Sequence, residues 1–453
     1  MVGPISTHEH AHWSSRMSFL MASVGFAVGL GNIWRFPYVT GENGGAAFVL
    51  VYLCCAFGVG VPIVIAEIMI GRRGQAGTAG SMKVVAAQEG RSPLWIGVGY
   101  VNQLAAFLIQ AVYAVIVGWV LWYLFKAVTT GFVGVDATFA DAEFARVTSD
   151  TIGMLLWTVV GILICGGVLY AGVKDGIERA VNVLMPTLFG LLLLLVGFNV
   201  FAGGFEEALV WLFKADFSKI NAQVFLAALG QAFFSVGVGM AAMMAYGSYL
   251  PKETRIASSA IIIVIADTLV AILAGLVIFP AVFNNGLDPA AGPGLIFQTL
   301  PVAFAQMPGG YFFACLFFLL LSVAGITSMV ALLEALVSWL EELHGFPRHR
   351  ATVVIIGANI LFSLLSVLGY TVLADWQLFG LPINTAADYV SNQILLPLGG
   401  LLIAIFAGWF VTRKSSRDEL ALNSNFAFEL WRFLIRWPVP AAVLVIFVMG
   451  VSD

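Results

Sequence analysis

Eleven apolar segments, each close to the length needed to cross a lipid bilayer, occupy most of this 453-residue sequence. A membrane-spanning helix needs about 20 mostly apolar residues. Only 10% of the residues are charged, whereas soluble domains carry about 25%. The sequence therefore predicts an all-α polytopic protein in a lipid bilayer, with spans near 17–40, 45–70, 93–126, 151–170, 180–203, 222–250, 257–283, 310–342, 351–370, 386–412 and 431–451.

Basic residues are concentrated in alternate connections, at 72–91, 174–179, 252–255, 348–350 and 413–417. Such connections lie on the cytoplasmic side of a membrane. The intervening connections are mainly acidic or uncharged, and the Gly- and Pro-rich stretch 284–309 is long enough to fold back as a lid. We therefore expect a cytoplasmic N-terminus and a periplasmic or extracellular C-terminus. The lack of an Asn-x-Ser/Thr sequon favours a bacterial inner membrane.

Two of the segments are interrupted by glycine near their centres. Residues 27–32 read Ala-Val-Gly-Leu-Gly-Asn in the first segment, and residues 235–240 read Ser-Val-Gly-Val-Gly-Met in the sixth. Unwound backbone at membrane depth is tolerated only where it is buried in protein or lines a cavity. Paired interruptions of this kind indicate a transporter with a substrate site near the bilayer midplane. The alternative interpretation is close helix packing through small residues.

Polar side chains at midplane depth accompany the two breaks, on four different segments: Asn32, Ser235, Asp267, Thr327 and Ser328. Together they offer the oxygen ligands that an alkali cation prefers. A carboxylate at this depth costs a few kcal/mol unless it is paired, so we expect Asp267 to have a cation partner such as sodium. Alternatively, Asp267 is protonated or bonds a hydroxyl, and Thr327 and Ser328 bond carbonyls of their own helix.

The sequence resembles the neurotransmitter:sodium symporters, in their bacterial amino acid transporter branch, over nearly its whole length. The most specific motif is GFAVGLGNIWRFPY at 25–38, followed by ENGG at 42–45, QAFFS at 231–235 and AGITS at 324–328. The resemblance implies inverted five-helix repeats, helices 1–5 and 6–10, with helices 1 and 6 broken and helix 11 added. The chain would then divide into a cytoplasmic tail (1–16), a first repeat (17–203), an extracellular connection (204–221), a second repeat (222–412) and a loop with helix 11 (413–453).

The resemblance also implies two sodium ions and a small amino acid substrate at the breaks. It assigns the first ion, which also touches the substrate carboxylate, to Ala27, Asn32, Ser235 and Asp267. It assigns the second ion to Gly25, Val28, Ala324, Thr327 and Ser328. The implied substrate residues are Phe26, Ala27, Gly29, Leu30, Gly31, Ile109, Tyr113, Phe234, Ser235, Gly237, Met240, Ser328 and Leu332. Taken alone, Tyr113 would more commonly be a core tyrosine.

Two positions indicate the substrate class within this family. Monoamine carriers have an aspartate where this chain has Gly29, because their substrates lack a carboxylate, so glycine indicates an amino acid. Chloride-dependent members have an asparagine where this chain has Asp267; a fixed carboxylate replaces the anion, so chloride independence is expected. The apolar lining, with volume left by Gly237 and flexible Met240, favours sodium-coupled import of neutral hydrophobic L-amino acids, from leucine-sized to aromatic, by alternating access.

The resemblance places a gate on each side of this site. Outside, Arg35 and Asp388 would close over the substrate, with Phe234 as a lid. The residues that match the family's inner closing network are Trp13, Ser248, Tyr249 and Glu342.

One member of the inner network does not match, because His10 occupies the position of the arginine that pairs with the acid in relatives. Either Arg16 replaces it, or the gate is weaker and pH-sensitive. Gly176 and Pro186 in the fifth span match a motif for local unwinding; a Gly cap and an ordinary Pro kink are the alternative.

Two rival functions follow from other residues. The motif H-E-x-x-H at 8–12 is typical of zinc peptidases, but it lies in a polar tail and has no evident third ligand. Glu67, Asp267 and Glu334 could form a proton relay, which would make the protein a proton-coupled carrier of the same fold. Nucleic acid is not an expected partner, because no basic run with interleaved aromatics occurs. The oligomeric state is open, since a twelfth helix found in many relatives is missing.

Overall fold

A computed structural model describes residues 12–132, 134–422 and 424–452. These residues are mostly helical, as the apolar segments predict. In chain order the elements are α1 (Arg16–Ala27), α2 (Gly31–Glu42), α3 (Ala46–Gly74), α4 (Thr78–Gln88), α5 (Pro93–Thr129), α6 (Ala137–Ser149), α7 (Thr151–Tyr170), α8 (Val173–Ala202), α9 (Phe205–Phe213), α10 (Ala222–Ser235), α11 (Ala242–Ser248), α12 (Ile256–Asn284), α13 (Thr299–Gln306), α14 (Gly310–His344), α15 (Arg348–Tyr370), the short antiparallel strands β1 (Gln377–Leu378) and β2 (Leu381–Pro382), α16 (Ile383–Phe410), α17 (Arg413–Leu420) and α18 (Asn425–Gly450).

Nine of these helices, within the described residues, are long and apolar enough to cross a membrane, and the bent pair α1–α2 adds a tenth span. The eleventh apolar segment is the pair α10–α11, in which α10 is an apolar helix of 14 residues. All eleven predicted segments are therefore helical. The last one is longer than the sequence pattern suggests, because α18 already begins at Asn425.

Three connections that the sequence pattern leaves as loops contain helices. The stretch 127–150 holds α6, and 204–221 holds α9. The stretch 284–309 holds a 3₁₀ turn (Gly292–Leu295) and α13. It folds back onto α2, the second half of the first span, where the indole N–H of Trp34 donates to the carbonyl of Pro293 at 3.0 Å.

Both glycine interruptions are unwound backbone and not merely places of close packing. The axes of α1 and α2 meet at 48° across residues 28–30. After Ser235, Gly237 and Gly239 have φ angles of +72° and +77°, a region that residues with a Cβ rarely adopt. Ala241 follows with a φ of +64° and restarts the helix. The sequence therefore needs glycine here for the chain to leave and re-enter the helical path.

Helix packing brings the two breaks together in the middle of the protein. The helix α1 packs against α12 and α14, α10 and α11 pack against α3, and α14 packs along α5. In α8, Gly176 lies within the first turns of the helix and Pro186 lies further along it. Gly176 is therefore not a helix cap, so that part of the alternative interpretation is wrong.

Candidate functional site

A buried polar cluster joins the two breaks. Asn32 lies at the start of α2, Ser235 ends α10, and Asp267 lies in the middle of α12; their exposed fractions are 0%, 3% and 0%. The Asn32 amide donates to the Asp267 carboxylate at 2.6 Å and to the Ser235 hydroxyl at 3.1 Å. The Ser235 hydroxyl donates to the other carboxylate oxygen at 2.9 Å. The alternative interpretation, that Asp267 bonds a neighbouring hydroxyl, therefore describes this structure, and the cation partner stays a prediction.

A second polar group lies between α1 and α14. The Ser328 hydroxyl reaches across to the carbonyls of Phe26 and Gly25, at 3.0 and 3.4 Å. The Thr327 hydroxyl instead bonds carbonyls of its own helix, those of Val323 and Ala324, at 3.0 and 3.1 Å. The back-bonding alternative therefore holds for Thr327 and is wrong for Ser328.

A small cavity of about 30 Å³ lies beside both groups. It is lined by twelve of the thirteen predicted substrate residues: Phe26, Ala27, Gly29, Gly31, Ile109, Tyr113, Phe234, Ser235, Gly237, Met240, Ser328 and Leu332. The thirteenth, Leu30, lines the adjoining outer cavity, and its backbone N–H donates to the Tyr113 hydroxyl at 3.0 Å. The fold thus gathers residues that are more than 300 positions apart in the chain.

Two glycines line this cavity where neighbouring side chains leave no room for a Cβ atom. A Cβ at Gly29 would lie 2.6 Å from the Ser328 hydroxyl oxygen and 3.0 Å from the Tyr113 hydroxyl. A Cβ at Gly237 would lie 2.4 Å from the Phe26 ring. The expectation that Gly237 leaves open volume is therefore wrong in this conformation, because the Phe26 ring occupies the space beside it.

A larger cavity of about 420 Å³ adjoins the small one, and both Arg35 and Asp388 line it; it is called the outer cavity because it lies on the predicted periplasmic or extracellular side. These two residues do not form the predicted ion pair in this structure. The Arg35 guanidinium instead donates to the Gln231 side chain at 2.9 Å and lies over the Phe234 ring at 4.9 Å. The amide of Asn392 donates to Asp388 at 2.5 Å. The outer cavity is therefore not closed by this pair.

The opposite side is closed by a buried aromatic and ionic network. Trp13 donates from its backbone to the Tyr249 carbonyl at 3.1 Å and from its indole to the Tyr246 carbonyl at 2.9 Å. The Tyr249 hydroxyl donates to Glu334 at 2.7 Å, and Arg348 forms an ion pair with Glu334 at 2.7 Å. The predicted contact of Trp13 with Tyr249 is present, whereas Arg348 and Tyr246 were missed.

Two further residues of the inner side have partners among the described residues. Glu342 accepts a hydrogen bond from the backbone N–H of Gly77. Arg16 does not replace the missing arginine, because it donates to the hydroxyls of Ser258 and Ser259, at 2.8 and 3.3 Å. His10, with residues 8–11 of the H-E-x-x-H motif, lies outside the described residues.

The three acids of the proposed proton relay have separate partners. Glu334 is held by Arg348, and Asp267 by Asn32 and Ser235. Glu67 is fully buried on α3 and accepts from the Gly239 N–H at 2.8 Å, inside the second break. Within the described part of the chain no hydrogen bond links these carboxylates to one another. A signal for the Glu334 pairing existed in the sequence, because a buried acid requires a cation or a donor.

Broken helices that meet at a buried polar cluster, with a cavity open on one side and closed on the other, are the architecture of a secondary transporter. The family model described as the sodium:neurotransmitter symporter family matches residues 10–133 and 138–453, so the chain belongs to that family of sodium-dependent transporters, which are not enzymes.

Individual relatives cover the whole fold. The chain is 35% identical to an uncharacterized sodium-dependent transporter of Haemophilus influenzae, over 96% of this chain and 97% of that one. It is 34% identical to the uncharacterized sodium-dependent transporter YhdH of Bacillus subtilis, over 98% of both. Among solved structures it is similar to MhsT in complex with L-phenylalanine, with 38% identity, a TM-score of 0.89 and coverage of 98% of this chain and 100% of that one.

Proposed function

We propose that this protein imports neutral hydrophobic L-amino acids together with sodium, without requiring chloride. The observation that carries the proposal is the cluster of Asn32, Ser235 and Asp267, which ties both broken helices to one buried carboxylate. A negative charge at this depth is stabilised by a cation. The cluster lies beside a cavity with mostly apolar lining, where a hydrophobic side chain would be removed from water.

The first sodium ion would bind oxygen atoms of this cluster and the carbonyl of Ala27. The Asn32 amide donates in this structure, so it must turn about its Cβ–Cγ bond to offer its oxygen to the ion. The second ion would bind between α1 and α14, where Ser328 already touches the carbonyls of Gly25 and Phe26. The Thr327 hydroxyl donates its proton to carbonyls of its own helix, which leaves the lone pairs of its oxygen available to an ion.

The substrate would lie with its carboxylate at the first break and its side chain in the small cavity. The N–H groups at the start of α2 and the Tyr113 hydroxyl are donors for an anion. The lack of space at Gly29 excludes a side chain that could neutralise a substrate amine. MhsT binds L-phenylalanine; for an aromatic substrate to enter here, the Phe26 ring must leave the space beside Gly237.

A fixed carboxylate is the reason for chloride independence. Asp267 supplies one negative charge next to the proposed ion, so no mobile anion is needed to balance it. The driving force is sufficient: one sodium ion at about −100 mV contributes roughly 2.3 kcal/mol, and a tenfold gradient adds about 1.4 kcal/mol. One ion would therefore support accumulation of a few hundredfold, and two ions would roughly square that value.

The cavities indicate how access would alternate. The outer cavity reaches the predicted substrate residues Leu30, Gly31 and Phe234, while Trp13 and the Glu334–Arg348 pair close the other side. Binding would bring Arg35 and Asp388 together, and the inner network would then part. With a cytoplasmic N-terminus in a bacterial inner membrane, this order of events is import.

Uptake of labelled amino acids into proteoliposomes tests the proposal. We expect uptake of leucine and phenylalanine with an inward sodium gradient, equal in chloride and gluconate, and little uptake of glycine. Replacing sodium by potassium should abolish it. Asp267→Asn should reduce uptake, whereas Asp375→Asn, at an exposed position, should not. Uptake that ignores sodium but follows a proton gradient would contradict the proposal and support proton coupling.

A further inference from the structure

The first half of α18 (Asn425–Arg436) has three distinct faces. Phe428, Trp431 and Ile435 are buried against the protein. The opposite face is apolar and exposed, with exposed fractions of 76% for Phe426 and 56% for Phe433. Between them Glu429, Arg432 and Arg436 follow the i, i+3, i+7 spacing of a third face. In a chain that lies in a bilayer, the arginines therefore border the surface that faces lipid.

These arginines have few protein partners. Arg432 has one long hydrogen bond, 3.5 Å from its guanidinium to the Ser416 hydroxyl. Arg436 lies over the Trp409 ring at 4.6 Å, and its Nε is buried without a hydrogen-bond acceptor in the described part of the chain. Arg413 pairs with Glu429, which is the one acid among the described residues that attracts Arg432, and Arg413 itself repels Arg432. Three guanidinium groups thus share one carboxylate.

The side chains around Arg432 and Arg436 are of the kinds that are found next to lipid headgroups. Trp409 and Trp437 are in edge contact at 4.8 Å between ring centroids, and tryptophan is enriched at the membrane–water interface. Trp437 continues the exposed apolar face with an exposed fraction of 56%. Guanidinium groups bind phosphate oxygens through paired N–H donors, and basic pockets on the cytoplasmic side bind anionic headgroups.

We propose that Arg432 and Arg436, flanked by Arg413, bind the phosphate of an anionic phospholipid of the cytoplasmic leaflet. The acyl chains would lie along the exposed face formed by Phe426, Phe433 and Trp437. The phosphate would add negative charge next to the arginines, whose positive charge Glu429 alone does not balance. This proposal goes beyond the transport function. It relies only on the predicted orientation of the chain in the membrane, which places the connection 413–424 on the cytoplasmic side.

Native mass spectrometry of the detergent-purified full chain tests this site. The probes are dioleoylphosphatidylglycerol, dioleoylphosphatidylcholine and glycerol 3-phosphate, each titrated against wild type and two charge-matched variants. Arg432→Gln/Arg436→Gln removes the proposed site. Lys174→Gln/Arg179→Gln removes two exposed basic residues from the same side of the membrane. The melting temperature in detergent, measured on the same samples, checks that each variant is folded.

We expect phosphatidylglycerol to bind wild type and the Lys174/Arg179 variant equally, and the Arg432/Arg436 variant about tenfold more weakly. Phosphatidylcholine should bind all three alike and weakly. Equal phosphatidylglycerol binding by all three proteins would overturn the proposal. Retention of glycerol 3-phosphate as tight as that of the lipid would also overturn it, because the site would then take a free phosphate. For wild type, added choline chloride should weaken the binding of phosphatidylglycerol, because the salt screens the charges. Binding that does not change with the concentration of this salt would contradict a charge-based site.

Discussion

The amide of Asn32 donates to both the side-chain carboxylate and the backbone carbonyl of Asp267, at 2.6 and 2.9 Å. This contact fixes the start of α2, just after the first break, to the middle of α12. The hydroxyl of Ser235, at the second break, donates to the same carboxylate at 2.9 Å. A change at Asp267 should therefore affect both broken helices at once.

Replacing Asp267 by asparagine removes the fixed charge and keeps the shape of the side chain. We expect sodium-driven leucine uptake in gluconate medium to fall at least about tenfold. Without the carboxylate, the charge of the bound sodium ion is not balanced, and an unbalanced charge at membrane depth costs a few kcal/mol. Adding chloride should restore part of it. Asp375→Asn is the control, since Asp375 is exposed. Full activity of Asp267→Asn without chloride would contradict the role of the carboxylate.

Adding one methyl group at Gly29 should block the substrate site. The new Cβ of Gly29→Ala would lie 2.6 Å from the Ser328 hydroxyl oxygen, and overpacking of this kind costs about 1–3 kcal/mol. We expect the affinity for leucine to fall roughly tenfold, measured by equilibrium binding. Gly230→Ala, on α10 where nothing lies within 4 Å of the added Cβ, should bind normally. Equal affinities of the two variants would refute the assigned position.

The ion pair of Glu334 and Arg348 should dominate the stability of the inner side. Glu334 is fully buried and 2.7 Å from the guanidinium, whereas Glu341 is 28% exposed and 3.3 Å away. Removing one partner of a buried pair costs about 3–5 kcal/mol. Glu334→Gln should therefore lower the melting temperature in detergent much more than Glu341→Gln. A similar loss in both variants would show that burial of Glu334 does not matter.

Stability should also depend on Glu143, which lies on α6 outside the spans. Burial raises the pKa of Glu143, but hydrogen bonds from Arg146 and Lys126 outweigh it and hold the pKa below the ordinary value of 4.5. The native state then binds fewer protons than the unfolded state, so this stabilisation is present above that value and is lost as the pH falls through the native pKa.

Melting temperatures at pH 7 and at acidic pH test this dependence. Wild type should exceed Glu143→Gln at pH 7, and the difference should shrink as the pH falls below the ordinary carboxyl value. Glu253→Gln, at an exposed position, should match wild type throughout. A difference that persists in acid would mean that the charge of Glu143 is not its source.

The breaks and the residues around them could be predicted from the sequence, because glycines in the middle of two apolar segments weaken the helix at those points. The predictions that were wrong concern packing between segments that are distant in the sequence. The space beside Gly237 is filled by Phe26, which lies more than 200 residues earlier, and no local pattern shows this. Likewise Arg16 faces Ser258 and not Glu342, because the rotation of α1 against α12 decides its partner.

Binding of labelled L-phenylalanine to the purified protein, in chloride-free medium with sodium or with choline, tests the central claim most directly. If ion and substrate share the site at Asp267, sodium should raise the affinity at least about tenfold, and phenylalanine should raise the affinity for sodium by the same factor. Equal affinity for phenylalanine in sodium and in choline would contradict the account.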